Sequence, residues 1–278
     1  MIGLQYVDAE RTGKPLSDRS IKIRLVMMKA FSKWLVKKRA LKHCPFATID
    51  RLTDSRSGRC RHRREFSDTE FWSMVDAAKK GKSIEGVSGP QRAVLYQFAR
   101  ATGIRANEIA ELKVSDIVLA QESWVRLPAL VTKNQKYDEI PLDPTILERS
   151  DIVQVMRSWV QTRGASDPLF DLRTERGNNR KTSKMIKTDA GNSSPPVEYE
   201  NDFGFADFHS LRVSFENHLR RLNVDLEVRK SLMRHRDIST TIGYGRVRSG
   251  EKASSLSEAL RNARQKGSGA GESQGGNH

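Results

Sequence analysis

Hydrophobic positions recur at helical spacing along most of this chain. Ser17 and Asp18 form an N-cap signal, and an amphipathic helix ending near Arg39 follows them. Its apolar positions are Ile21, Leu25, Met28, Phe31, Trp34 and Leu35. Ser67 and Glu70 form a capping box at the start of a second helix. The same periodicity predicts further helices at 91–102, 107–112, 182–189, 210–222, 225–233 and 254–263.

Two short segments depart from the helical pattern. Residues 124–127 and 138–142 have the composition of strands, and the turn between them is rich in Lys, Asn and Gln. They predict a small β-hairpin. The expected fold class is therefore mainly α with a small antiparallel β-sheet (α+β). Residues 172–206 mix Arg, Lys, Asn, Gly, Ser and Pro, which is typical of a mobile insertion around the short helix at 182–189.

Composition divides the 278 residues into four parts. Residues 50–64 (DRLTDSRSGRCRHRR) are basic and almost free of apolar periodicity, which predicts a linker that lies along DNA. The linker separates a partial helical domain at 1–49 from a large domain at 65–263. Residues 264–278 are rich in Gly and Ser and predict a disordered tail.

The charge of the chain is strongly positive and uneven. There are 49 Lys and Arg against 34 Asp and Glu, which gives a net charge of +15. Residues 1–64 alone hold 17 Lys and Arg against 5 Asp and Glu. This asymmetry favours a nucleic-acid partner, although charge alone leaves a solvated basic surface as an alternative. The candidate DNA-binding residues are Lys22, Lys29, Lys33, Lys37, Arg61, Arg63 and Arg64.

Several classes of protein are disfavoured. No apolar run approaches the roughly 20 residues that span a bilayer, so no membrane association is expected. Two cysteines cannot build a disulfide framework, which favours a reducing, cytoplasmic location. His43 and Cys44, with Cys60 and His62, have the residue types of a zinc site. However, adjacent ligands fit tetrahedral zinc poorly, so no metal site is expected.

Three clusters carry residue types suited to chemistry. They read TGIRANE at 102–108, FHSLR at 208–212 and LMRHRDISTTIGY at 232–244. Each has an ordinary structural explanation when taken alone. Arg105 and Glu108 are spaced like a surface ion pair on a helix, and an isolated His209 or Tyr244 is more often a packing residue.

Together with VTKNQK at 131–136, these clusters resemble the tyrosine recombinase (phage integrase) family. The family pattern is TGLR-x-x-E, a hairpin lysine, H-x-L-R and L-G-H-x-x-I-x-T-T-x-x-Y. Order and spacing agree over about 65–250, with a weaker similarity at 14–48. The resemblance implies a tyrosine recombinase catalytic domain preceded by a truncated helical core-binding (SAM-like) domain, since that domain normally has about four helices.

By position, the resemblance assigns roles to seven residues. Two arginines grip the scissile phosphate, an acidic residue supports the first of them, a lysine acts as general acid, two histidines complete the site and a tyrosine is the nucleophile. These residues are Arg105 and Arg212, Glu108, Lys133, His209 and His235, and Tyr244. Lys136 is a second candidate for the lysine, because turn length shifts that alignment easily.

The roles agree with the chemistry of strand transfer. Planar guanidinium groups match the oxygens of a phosphate and remain charged. A tyrosine hydroxyl has a pKa near 10 and needs a base or a positive site to lose its proton. The product implied by the resemblance is a 3′-phosphotyrosine link, which requires neither ATP nor a metal cofactor. The implied partners are double-stranded DNA and further copies of the chain, as a dimer to tetramer on the DNA.

The pattern has departures and the function has rivals. Arg234 stands where the family has glycine, and Val213 and Ser214 stand where it has His and Thr. A type IB topoisomerase shares the chemistry but does not join two sites, and the spacing of the motifs favours recombination. A catalytically weak DNA-binding remnant or regulator is the alternative from another class, and the short N-terminal domain favours it.

Overall fold

A computed structural model describes residue 16 and residues 18–49, 62–132 and 136–234. Predicted site residues Arg61, Lys133, His235 and Tyr244 lie outside these ranges, as do the predicted helix at 254–263 and the tail at 264–278. The chain divides into two compact units, Met1–Arg61 and His62–His278, which are described separately. Among the described residues, every helix is too short or too polar to span a bilayer.

The first unit contains one described helix, α1 (Asp18–Lys37), as its sequence pattern predicts. Ile21 and Leu25 are buried, but Phe31 and Trp34 are 60% and 51% exposed and stack with ring centroids 5.9 Å apart. Positions 21, 25, 28, 32 and 35 share one side of a helix of 3.6 residues per turn, whereas position 34 falls on the other side. The expectation of one continuous apolar face is therefore wrong for Phe31 and Trp34.

Two helices form the centre of the second unit. Helix α2 (Asp68–Lys80) begins at the predicted capping box, with Glu70 N donating to Ser67 Oγ at 3.2 Å and Ser67 N to Glu70 Oε2 at 2.9 Å. Helix α3 (Gly89–Thr102) contacts α2 and is buried on most of its surface. It ends at Gly103, which has a φ of 61°.

A short helix and a small sheet follow α3. Helix α4 spans Ala106–Ile109, and a 3₁₀ turn at Val114–Asp116 leads to strands β1 (Ile117–Leu119), β2 (Ser123–Leu127) and β3 (Asp138–Pro141). The strands pair antiparallel in the order β1-β2-β3, and Val125 on β2 faces Ile140 on β3. The predicted hairpin is therefore present with a third strand beside it. The sequence pattern did not predict β1, which has only three half-buried residues.

The remaining described elements of the second unit are helices and one small hairpin, joined by loops. Helix α5 (Ile152–Val160) lies in a stretch without a predicted element. Helix α6 (Thr182–Gly191) confirms the short helix predicted there, and β4 (Glu200–Asn201) pairs with β5 (Gly204–Phe205). Met185 and Ile186 are fully buried, so the expectation of a mobile insertion at 172–206 is wrong for α6. Helices α7 (Phe208–Arg221) and α8 (Leu226–Met233) follow.

The end of the predicted linker is part of the second unit. Phe205 N donates to His62 O at 2.9 Å, and Arg64 N donates to Phe205 O at 3.0 Å. Gly204 permits this approach, because a Cβ built there would lie 2.2 Å from His62 O. Residues 62–64 are thus held to β5.

Candidate functional site

Three of the predicted site residues line one pocket of about 160 Å³. Arg105 lies at the N-cap of α4, while His209 and Arg212 lie one turn apart at the start of α7. Asp207, Thr182 and Ser183 complete the polar part of the lining. The pocket therefore joins residues that are about a hundred positions apart in the sequence.

Glu108 holds Arg105 in place. Arg105 Nη1 donates to Glu108 Oε1 at 2.9 Å, and Arg105 N donates to Glu108 Oε2 at 3.1 Å. The Glu108 side chain is 4% exposed, whereas that of Arg105 is 29% exposed. The carboxylate thus orients a guanidinium that remains open to the pocket.

Arg212 is fixed by backbone carbonyls from two other segments. It is 2% exposed, and its guanidinium donates to Gly103 O and to Met233 O. These hydrogen bonds connect the end of α3, the start of α7 and the end of α8. Gly103 also allows Phe215 of α7 to pack closely against the end of α3, because a Cβ built at Gly103 would lie 2.4 Å from Phe215 Cδ1.

His209 is neutral at neutral pH. Burial, together with the positive charges of Arg63 and Arg212, lowers its pKa to about 4. The carboxylate of Asp207 opposes this shift. The positive charges of the nearby arginines are the second cause of this shift, after burial, and they suit the pocket to an anion.

Asp207 is a pocket residue that the sequence analysis missed. It caps α7 by accepting from Ser210 N at 3.2 Å, and Arg63 Nε donates to its two carboxylate oxygens at 3.1 and 2.9 Å. An aspartate three residues before Ser210 is an ordinary N-cap signal, so the helix start could have been recognised from the sequence. The contact of Asp207 with Arg63 could not be recognised from the sequence, because 144 positions separate the two residues.

Arg234 is a second residue that the sequence analysis did not place in the site. Its Nη2 donates to Glu108 Oε2 at 2.6 Å, and its side chain is 7% exposed. The residues at the other two departures from the family pattern pack inside the unit. Val213 and Ser214 are buried in α7, and Ser214 Oγ accepts from Phe66 N at 3.0 Å.

The hairpin between β2 and β3 carries the two candidate lysines. Lys133 is outside the described residues, while Lys136 is described and exposed. Lys136 N donates to Thr132 Oγ1 at 3.0 Å, and this hydroxyl lies 2.8 Å from Lys136 O. These hydrogen bonds join Thr132 to Lys136, the two described residues that flank positions 133–135.

The candidate DNA-binding lysines lie on α1. Lys33 and Lys37 are exposed, while Lys22 and Lys29 are half-buried, and Lys29 Nζ donates to Ile49 O. The lysines that were predicted from charge thus differ in accessibility.

The two described arginines of the predicted linker differ in their exposure to solvent. Arg63 is exposed despite its ion pair with Asp207. Arg64 is 7% exposed, and it donates to Glu70 Oε2 at 2.9 Å and to Glu198 O at 2.6 Å. These groups bind its guanidinium inside the unit, so Arg64 is much less accessible to DNA than Arg63.

A metal site was not expected. Within the described ranges no three His, Cys, Asp or Glu side chains converge as metal ligands would. Cys60, a member of the disfavoured zinc constellation, is outside those ranges.

Curated relatives carry recombinase names. Tyrosine recombinase XerC of Neisseria meningitidis serogroup B is 24% identical over 246 residues, which are 87% of this chain and 74% of that protein. Tyrosine recombinase XerD of Staphylococcus saprophyticus is 24% identical over 186 residues, which are 66% of this chain and 59% of the relative. The similarity thus spans little more than half the length of XerD.

Solved structures show the same fold. A lambda integrase dimer bound to a COC′ core site covers 81% of this chain and 59% of its own, with a TM-score of 0.59 and 16% identity. The Tn1549 transposon integrase, in complex with a circular intermediate DNA, covers 91% of this chain and 82% of its own, with a TM-score of 0.61 and 13% identity.

The model of the phage integrase family matches residues 65–251. The match includes every residue of the pocket and extends over the segments that carry Lys133, His235 and Tyr244. It covers well over half of the chain. The protein is therefore a member of the phage integrase family.

Proposed function

We propose that this chain is a site-specific DNA recombinase that cleaves and rejoins DNA strands, with Tyr244 as its nucleophile. One observation carries the proposal: Arg105, His209 and Arg212 line the same pocket although they come from distant segments. The recombinase names of the relatives support it.

The pocket has the donors that a phosphodiester needs. Attack on phosphorus builds negative charge on the two non-bridging oxygens, and arginines are suited to receive it because they remain protonated. Arg212 is already held by two carbonyls, so little reorganisation is needed when the phosphate binds. Neutral His209 adds a hydrogen-bond donor from the same helix turn.

The proposed reaction exchanges one phosphodiester for another. The Tyr244 oxygen attacks phosphorus and its proton passes to a neighbouring base, while the bond from phosphorus to the 5′ oxygen breaks. The leaving oxygen keeps the electron pair and takes a proton from Lys133, acting as general acid. The products are a 3′-phosphotyrosine ester and a free 5′ hydroxyl. Attack by another 5′ hydroxyl reverses these steps, so neither ATP nor a metal is consumed.

The proposed partners are double-stranded DNA and further copies of the chain. Lambda integrase was solved as a dimer on a core site, and by analogy a dimer to tetramer is proposed here. Lys22, Lys29, Lys33 and Lys37, with Arg61 and Arg63, are proposed to contact the DNA backbone. Such contacts supply affinity without reading sequence.

A suicide DNA substrate tests the nucleophile. Purified protein should form a covalent adduct that is visible as a shifted band after denaturation, and Tyr244→Phe should abolish it. Tyr137→Phe is the matched control, because the Tyr137 hydroxyl bonds Glu139 on the exposed hairpin and is not in the pocket. An adduct that survives in Tyr244→Phe would contradict the proposal.

The same preparation separates the rival functions. A topoisomerase would relax supercoiled DNA without joining two sites, whereas a recombinase exchanges flanking sequences between two duplexes. A DNA-binding remnant would bind duplex DNA but give no adduct at all. Sequencing the products of a two-site reaction distinguishes a recombinase from a topoisomerase. The suicide substrate identifies a DNA-binding remnant, which gives no adduct.

A further inference from the structure

Arg234 occupies a backbone position that suits glycine. It ends α8 with φ 51° and ψ 46°, in the left-handed region, and its N–H donates to Ser231 O at 2.8 Å. Residues with a Cβ are disfavoured there, and the family pattern has glycine at this position. The backbone alone therefore does not require an arginine, so its contribution must come from the side chain.

The Arg234 side chain is aimed into the protein and is only partly satisfied. It is 7% exposed, and its Nη2 pairs with Glu108 Oε2. Its Nε and Nη1 are also buried, and neither has a hydrogen-bond partner among the described residues. Burial lowers the pKa of Arg234, Glu108 opposes that shift, and the positive charge of Arg105 adds to it. Arg234 therefore lies within electrostatic range of the pocket arginine.

Glu108 is shared between two guanidinium groups. Its Oε1 accepts from Arg105 Nη1, and its Oε2 accepts from both Arg105 N and Arg234 Nη2. With glycine at position 234, the carboxylate would be balanced only by Arg105, and Arg212 would be the one cation in excess among these groups. With arginine there, two positive charges remain in excess. A phosphodiester that gains negative charge during attack benefits from the second of them.

We infer that Arg234 is a positioning residue of the phosphate site, which pairs with Glu108 so that the charge of Arg105 stays available to the scissile phosphate. This inference rests on the proposed function and extends it to a residue outside the family pattern. Arg234 acts through Glu108 and Arg105. It also ties the end of α8, which leads into the segment with His235 and Tyr244, to the turn that carries Arg105.

The central test is whether a second mutation in Glu108 rescues Arg234→Gly. Glycine suits the left-handed backbone, so this variant should fold. Its single-turnover cleavage rate at saturating DNA should fall at least tenfold, with duplex affinity changed less than threefold. Adding Glu108→Gln should restore most of the rate, because a neutral amide no longer offsets Arg105. Arg234→Lys should keep an intermediate rate.

Arg229→Ala is the matched control. Arg229 is on the same helix and pairs with buried Glu216 at 2.8 Å, but it is not in the pocket. Its loss should lower the melting temperature without changing the cleavage rate of the folded protein. If Arg234→Gly behaves in the same way, or if Glu108→Gln does not rescue it, the inference is overturned.

A readout without catalysis separates this inference from the proposed function. Inorganic phosphate, titrated into the protein and followed by NMR, should bind at least fivefold more weakly to Arg234→Gly, and Glu108→Gln should restore binding. Equal affinity in wild type and Arg234→Gly, or no binding by wild type, overturns the inference even if the adduct forms. If phosphate binds with the expected affinities but no covalent adduct forms, only the recombinase proposal is overturned.

Discussion

Arg92 and Asp189 form a fully buried, bidentate ion pair between α3 and α6. Arg92 Nε donates to Asp189 Oδ2 at 2.7 Å and Nη2 to Oδ1 at 2.8 Å, while the Tyr96 hydroxyl donates to Oδ2 at 2.7 Å. Arg92 Nη1 donates to the carbonyls of Lys82 and Val87. This network fixes α6 against the centre of the second unit, and Thr182 and Ser183 at its start line the pocket.

Removing the carboxylate of this pair should destabilise the second unit severely. Asp189→Ala leaves Arg92 as an unpaired buried charge, which costs roughly 3–5 kcal/mol of unfolding free energy. Urea denaturation followed by circular dichroism measures this loss of unfolding free energy. Asp171→Asn is the control, since that side chain is half-exposed and should change stability by less than about 1 kcal/mol. Similar losses of unfolding free energy in both variants would show that the buried ion pair contributes no more to stability than an exposed one.

Gly103 should tolerate no side chain. Gly103→Ala places a Cβ against the Phe215 ring at a positive φ, so it combines left-handed strain with overpacking, for a loss of roughly 2–4 kcal/mol. Because Arg212 bonds Gly103 O, adduct formation should also fall. Gly191→Ala is the control, because a Cβ there meets nothing within 4 Å. Thermal unfolding of both variants measures the difference, and equal melting temperatures would refute the expectation.

Arg105 should affect cleavage more than DNA affinity. The open guanidinium of Arg105 is proposed to bind the reacting phosphate, whose charge grows during attack, so Arg105→Ala should lose roughly 100-fold or more in cleavage rate. Duplex affinity depends on many phosphate contacts and should change less than about threefold. Arg157→Ala on an exposed part of α5 is the control. Equal loss of cleavage and affinity would mean that Arg105 is only a phosphate anchor.

His209 should make the protein sensitive to acid. Its pKa is about 4 in the folded protein, against an ordinary value near 6.5, because of burial and the charges of Arg63, Arg212 and Arg105, opposed by Asp207. Between these values the unfolded chain binds the proton and the folded chain does not. The contribution of His209 to stability is therefore complete above about pH 6.5 and is lost as the pH falls towards 4.

Two measurements check this expectation. NMR titration of the His209 ring should give a midpoint near 4 in the free protein, and a bound phosphate should raise it. Urea denaturation between pH 4 and 7 should show a shallower decline for His209→Gln than for wild type. His218 also has a lowered pKa and remains in both proteins, so the comparison isolates His209. A ring midpoint near 6.5 would contradict the burial argument.

The sequence by itself determined most of the described helices and predicted the candidate site residues. Helix starts depend on groups within four positions, so Ser67 with Glu70 and the stop at Gly103 could be recognised from spacing. The order of Arg105, His209 and Arg212 in the family pattern predicted them as site residues. In the structure the three line one pocket.

Only the tertiary structure decided which charged side chains are free to act. Arg64 belongs to a basic run, yet it is bonded to Glu198 O across 134 positions and is buried. Arg234 replaces an expected glycine, and its partner Glu108 lies 126 positions away. Asp189 lies in a stretch with a loop-like composition and holds α6 to the core through Arg92. Local spacing cannot reveal such partners, because the energy of an ion pair depends on distance and burial in the folded chain.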